Sequence, residues 1–134
     1  MKDNMHCVLV DNDEDDRELF CMALEEVSPD ISCTTFGSAG QALEKLAEDP
    51  TFIPRYIFID MNMPMINGKE CLAGIRKLEH LQQVSVFMYS TACDPRSIQQ
   101  VKEMGAIDLL VKPDSYPGLV QLLAKVLQTT AVSW

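Results

Sequence analysis

Short β-rich runs alternate with segments of helical periodicity along the chain. Residues 5–10, 31–36, 56–60, 84–90 and 107–111 read as five strands. The first, third and fourth are almost continuously apolar, the pattern of a strand buried on both faces. Between the strands, apolar residues recur at helical spacing. Leu19, Ala23 and Val27 share one face, as do Cys71, Leu72, Ile75 and Leu78. Ile98 and Val101 form a third stripe, and Leu119, Leu122, Leu123, Val126 and Leu127 a fourth.

Boundary signals agree with these elements. Asp94-Pro95 reads as an N-cap followed by proline at the first helical position. Pro29 and Pro50 follow the first two helical segments. Gly105 follows the fourth, where a left-handed C-cap is common. Five successive βα units predict a doubly wound, flavodoxin-like α/β domain: a five-stranded parallel sheet with helices on both faces, joined by right-handed crossovers. No linker, repeat or low-complexity tract interrupts it, so residues 1–134 are expected to be one domain with no output domain attached. Ligands of open α/β sheets bind outside the carboxyl ends of the strands, at the switch point of strand order. The residues just after each strand therefore matter most.

Composition narrows the function. A chain of 134 residues with 47% hydrophobic and 23% charged residues buries enough surface to need no staple. The apolar run at residues 7–10 meets acids at once, so it resembles no signal peptide, and no stretch approaches a membrane span. The expected location is the cytoplasm. A net charge of −9 argues against nucleic acid as a partner, because phosphate backbones require a basic footprint. Five cysteines at positions 7, 21, 33, 71 and 93 show no CxxC spacing, so neither zinc nor thioredoxin-type chemistry is indicated. They read as small hydrophobes. His6 and His80 have no partner at ligand or dyad spacing.

Strand one ends in Asp11-Asn12-Asp13-Glu14-Asp15-Asp16, strand three in Asp60, strand four in Ser90-Thr91 and strand five in Lys112-Pro113. Carboxylates, a hydroxyl and an ammonium thus converge on one sheet edge. Oxygen ligands with retained waters suit Mg²⁺. The ammonium and hydroxyl suit an incoming phosphoryl group, whose transfer depends mainly on positioning and electrostatics. A carboxylate can itself be the nucleophile. Plainer readings exist for single residues. Asp13 to Asp16 can be first-turn acids serving the helix dipole, Asp11 alone an ordinary cap, and Lys112 alone a solvated loop lysine. Met61, Met63 and Met65 read as loop packing.

The chain resembles the receiver family of two-component response regulators over nearly its whole length. Val8-Leu9-Val10-Asp11-Asn12-Asp13 is similar to that family's first strand and acidic pair. Residues 56–68, with Asp60, Asn62, Met63, Pro64 and Gly68, are similar to its phosphoacceptor strand and following loop. Residues 86–91 match the hydroxyl-bearing strand and residues 105–113 the lysine-proline end. The resemblance implies strand order 2-1-3-4-5 and a phosphoryl group carried on Asp60. A histidine kinase or histidine phosphotransfer protein would donate it. It further implies Mg²⁺ held by Asp11, Asp60, the backbone carbonyl of Asn62 and the position of Asn12. That position usually carries a carboxylate, so either Asn12 or Asp13 completes the set. Ser90 would hydrogen-bond the phosphoryl group and Lys112 pair with it. Thr91 stands where a small residue is usual and would narrow the path of attacking water. A cis peptide bond is expected before Pro113. Leu109 occupies the position where many receivers place a switching aromatic ring.

Two rival classes share these features. A pseudo-receiver would bind proteins constitutively with weak or no phosphorylation, and Asn12 points that way. A dehalogenase-like hydrolase needs a second acid two residues after its nucleophile, where this chain has Asn62. A dinucleotide site would need a Gly-rich loop after strand one, where acids stand instead.

Overall fold

The computed structural model describes residues 5–132. Strands β1 (His6–Val10), β2 (Ser32–Phe36), β3 (Tyr56–Asp60), β4 (Ser85–Ser90) and β5 (Asp108–Val111) form one sheet in the order β2-β1-β3-β4-β5. All four pairings are parallel. Helices α1 (Glu14–Val27), α2 (Ala39–Glu48), α3 (Gly68–Arg76), α4 (Pro95–Glu103) and α5 (Tyr116–Val132) follow the strands in turn. The expected doubly wound fold is the one observed. No helix among the described residues is long and apolar enough to cross a membrane.

Strand residues alternate between two cores, as the pleat requires. Val8, Val10, Ile57, Ile59, Val86, Met88 and Leu109 pack with α2, α3 and α4 on one face. Cys7, Leu9, Tyr56, Phe58, Phe87 and Tyr89 pack with α1 and α5 on the other. On α1 the buried residues are Phe20, Ala23 and Leu24, while Leu19 is exposed. Ala23 of the expected stripe is buried and Val27 packs against the same core, but Leu19 gives up its inward place to Phe20. The reason is the Phe20 ring, which packs edge-on against Phe58 at 5.0 Å and against Tyr89 at 6.2 Å. A ring buries more apolar area than leucine and takes the inward position.

Each of the first four helices opens on a capped turn near a strand's carboxyl end. Asp13 accepts from the Asp16 amide, Ser38 from Gln41 and Asp94 from Ser97, with Pro95 next as expected. Asn67 and Glu70 close a reciprocal capping box on α3. At the other end of α4, Gly105 has φ of +106° and Ala106 N–H reaches back to the Val101 carbonyl at 2.9 Å, a left-handed stop. The Arg76 guanidinium donates to the carbonyls of Leu81, Gln82, Val84 and Gly105. It ties the end of α3 to the loops before β4 and β5, on the edge opposite the strand ends.

Candidate functional site

The site lies where β1, β3, β4 and β5 end. Asp60 is the last residue of β3 and is 4% exposed. Its Oδ1 accepts the Asn62 N–H at 3.0 Å. The loop beyond is pressed against the strand end: a Cβ on Gly68 would meet the Asp60 carbonyl oxygen and the Met61 Cα at 2.6 Å. Only glycine allows that approach. Met61 and Met63 pack inward as expected, but Met65 is 98% exposed at φ of +68°. It therefore takes no part in the loop's packing.

Asp11, at the end of β1, is fully buried. Its Oδ1 accepts the Asp13 N–H at 2.9 Å, and its backbone carbonyl accepts from the Arg17 guanidinium at 2.8 Å. Burial pushes the Asp11 pKa above the usual carboxylate range, against the opposing pull of that amide and of Lys112. Lys112 enters from the end of β5, where its amide donates to the Ser90 carbonyl at 2.7 Å. Its Nζ stands 3.1 Å from Asp11 Oδ2 and 3.4 Å from Asp60 Oδ2. Burial alone would lower the lysine pKa, but the surrounding carboxylates outweigh it and hold it above its ordinary value.

Ser90 ends β4 and is 4% exposed; its Oγ accepts from the Ala92 N–H at 3.3 Å and from Asn62 Nδ2 at 3.4 Å. Thr91 and Asn12 are exposed at the rim. Asp13 caps α1, its Oδ1 3.0 Å from the Asp16 N–H. Leu109 is buried against α4's side of the sheet. The expected cis bond before Pro113 is not found, because no described peptide bond is cis. Trans is the lower-energy isomer even before proline, and with it Lys112 already reaches both strand-end acids.

Two neighbours were not legible as site residues. Asp16 Oδ2 lies 3.0 Å from Lys112 Nζ, and the same ammonium sits 5.2 Å from the centroid of the Tyr89 ring. Asp16 stands four residues before Phe20 and seven before Ala23, on the inward face of α1. Burial pushes the Tyr89 hydroxyl up to about 12. Of the cysteines, Cys93 stands in the loop between β4 and α4, its Sγ donating to the Leu109 carbonyl at 3.9 Å. Cys7 and Cys33 are register partners on β1 and β2, and burial pushes the Cys71 thiol up to about 12, which keeps it protonated and unreactive.

No group of three or more His, Cys, Asp or Glu side chains among the described residues is arranged to cage a metal ion. Mg²⁺ needs no such cage, since it retains waters and takes one or two carboxylates plus phosphate oxygens. Buried Asp11 and Asp60 beside the Asn62 loop fit that requirement.

The response regulator receiver domain family model matches residues 7–124. A two-component response regulator, ORR11 of Oryza sativa subsp. indica, is 30% identical over 122 residues, covering 91% of this chain and 80% of its own. The chemotaxis response regulator CheY4 of Vibrio cholerae is 26% identical with a TM-score of 0.76, over 90% of this chain and 97% of that one. A receiver domain from Rhodospirillum rubrum superposes with a TM-score of 0.82 at 19% identity, over 95% and 94% of the two chains.

Proposed function

This chain belongs to the receiver family of two-component response regulators, and on that premise we propose that it is a phosphorylation switch whose phosphoryl group is carried on Asp60. The observation behind this reading is the buried Asp60 carboxylate at a strand end with Lys112 Nζ 3.4 Å away and Ser90 beside it, joined through Asn62. The donor is the phosphohistidine of a kinase or phosphotransfer protein. An Asp60 oxygen attacks phosphorus as the P–N bond breaks, and the electron pair returns to the imidazole. The product is an acyl phosphate. Its charge develops beside the ammonium of Lys112 and the hydroxyl of Ser90, both in place before transfer.

Asp11, Asp60, the Asn62 carbonyl and the amide of Asn12 are the groups that would hold Mg²⁺. When bound, the ion offsets negative charge on the phosphoryl oxygens. Thr91, exposed at the rim, narrows access for the water that later hydrolyses the acyl phosphate. The chain turns over only its own phosphate, so its output is recognition of a protein target, in the cytoplasm with its kinase.

Acetyl phosphate with Mg²⁺ should add one phosphate to the native protein by intact mass, and Asp60→Asn should take up none. A native protein that stays unmodified with acetyl phosphate and with candidate kinases would instead favour a constitutive binding module, the reading that exposed Asn12 supports.

A further inference from the structure

Three carboxylates surround one ammonium, and only two of them come from strand ends. Asp16, in the first turn of α1, holds Lys112 Nζ at 3.0 Å, against 3.1 Å for Asp11 and 3.4 Å for Asp60. An ammonium has three N–H donors, so the three acids account for all of them. A phosphoryl group on Asp60 brings further negative charge and new acceptor oxygens. To pair with it, Lys112 must release one acceptor it already has.

Which acceptor yields is decided by solvent access. The side chains of Asp11 and Asp60 are 0% and 6% exposed, and that of Asp16 is 41% exposed. Taking the lysine from a buried carboxylate leaves that charge without a partner or water, a large penalty. Water can replace the lysine at Asp16, so the pair there is weak and easily exchanged. Asp16 also opens onto a groove lined by Tyr89, Pro113 and Tyr116, which gives the freed carboxylate room to hydrate.

We propose that Asp16 is a positioning residue that holds Lys112 in the unphosphorylated protein and competes with the phosphoryl group for it. This rests on the Asp60 phosphoacceptor reading and deepens it. Asp16 acts as a brake: it makes the unmodified state more comfortable and so lowers the affinity of the site for phosphoryl.

The test uses the full chain and Mg²⁺-fluoroberyllate as the phosphoryl mimic, with native protein, Asp16→Asn and Asp16→Glu. Calorimetric titration should show Asp16→Asn binding the mimic about three- to fivefold more tightly, the range of a partly exposed ion pair. Asp16→Glu, which keeps the charge, should stay near native. In ¹⁵N-lysine spectra recorded without metal, Asp16→Asn should move the Lys112 Nζ resonance. With the mimic bound, that resonance should coincide in the native and Asn forms. Equal or weaker binding by Asp16→Asn, or an unmoved Lys112 resonance in the free protein, overturns the proposal. If the native protein and both variants all fail to bind the mimic, the phosphoacceptor reading itself falls; binding by the native protein without a gain in Asp16→Asn removes only the role of Asp16.

Discussion

At the scale of single residues, the site is governed by how much negative charge one lysine must balance. Asn12 is an amide, so a Mg²⁺ ion held in the proposed site by Asp11 and Asp60 would see less charge than with a carboxylate at position 12. A unit charge pair 4 Å apart is worth about 4 kcal/mol at an effective dielectric of 20, and a divalent ion doubles it. Dehydration and repulsion among the acids cancel most of this. Asn12→Asp should therefore tighten Mg²⁺ by about tenfold in calorimetric titration. Asp13 is engaged as the α1 cap, so Asp13→Ala should lower stability by about 1 kcal/mol and leave Mg²⁺ affinity alone. Much weaker binding by Asp13→Ala would make Asp13 the ligand instead.

Lys112 carries a pH signature whose sign follows from its raised pKa. The folded state holds the lysine proton more tightly than the unfolded chain does. Its contribution is thus fully present below the unfolded lysine pKa, about 10.4, and is lost as pH rises through the folded value. Lys112→Met, which leaves Asp11 and Asp60 buried without their counter-charge, should be less stable than native by about 1–3 kcal/mol at pH 7. That gap should persist to about pH 10 and close above it. Denaturant melts across pH measure it, and a gap that widens above pH 10 would contradict the assignment.

At the scale of elements, the loop after β4 is the part free to respond. Thr91 and Ala92 are exposed, and the segment is held by the Ser90 hydroxyl, the Asp94 cap and Cys93, whose Sγ donates to the Leu109 carbonyl at 3.9 Å. Leu109 is 5% exposed in the core beneath α4 and has no polar end to swing outward. Structures with and without fluoroberyllate should differ in residues 90–94 and in α4, with Leu109 unmoved. A rearrangement centred on Leu109 with a still Ser90 loop would refute this. The strands were legible because β1, β3 and β4 are buried on both faces and read as apolar runs. The edge strand β2 shows no such apolar run and was legible as a β-rich stretch within the βα alternation, since none of its residues is fully buried. Asp16 was not legible. Glu14, Asp15 and Asp16 are chemically alike, and what separates them is the helix phase set by the Phe20 ring. The peptide isomer before Pro113 was not legible either, because two isomers of similar energy are chosen by tertiary context.

At the scale of the whole molecule, the fold converts distant sequence positions into one charged edge. Lateral strand order is not written in local spacing, and the resemblance to receivers supplied it before the sheet displayed it. Strand parity then decides which core each strand-end residue adjoins. Tyr56, Phe58 and Asp60 alternate with Ile57 and Ile59, so Asp60 falls on the side of α1 and α5, where Asp16 and Tyr89 meet Lys112. The central proposal is that Asp60 carries the phosphoryl group. Borohydride reduces an acyl phosphate to an alcohol and so marks the modified position permanently. After treatment with acetyl phosphate and Mg²⁺, then borohydride, peptide mass spectrometry should find homoserine at position 60 and aspartate at positions 11 and 16. Homoserine at position 11 or 16 with aspartate retained at 60, or no homoserine at all, would contradict the account.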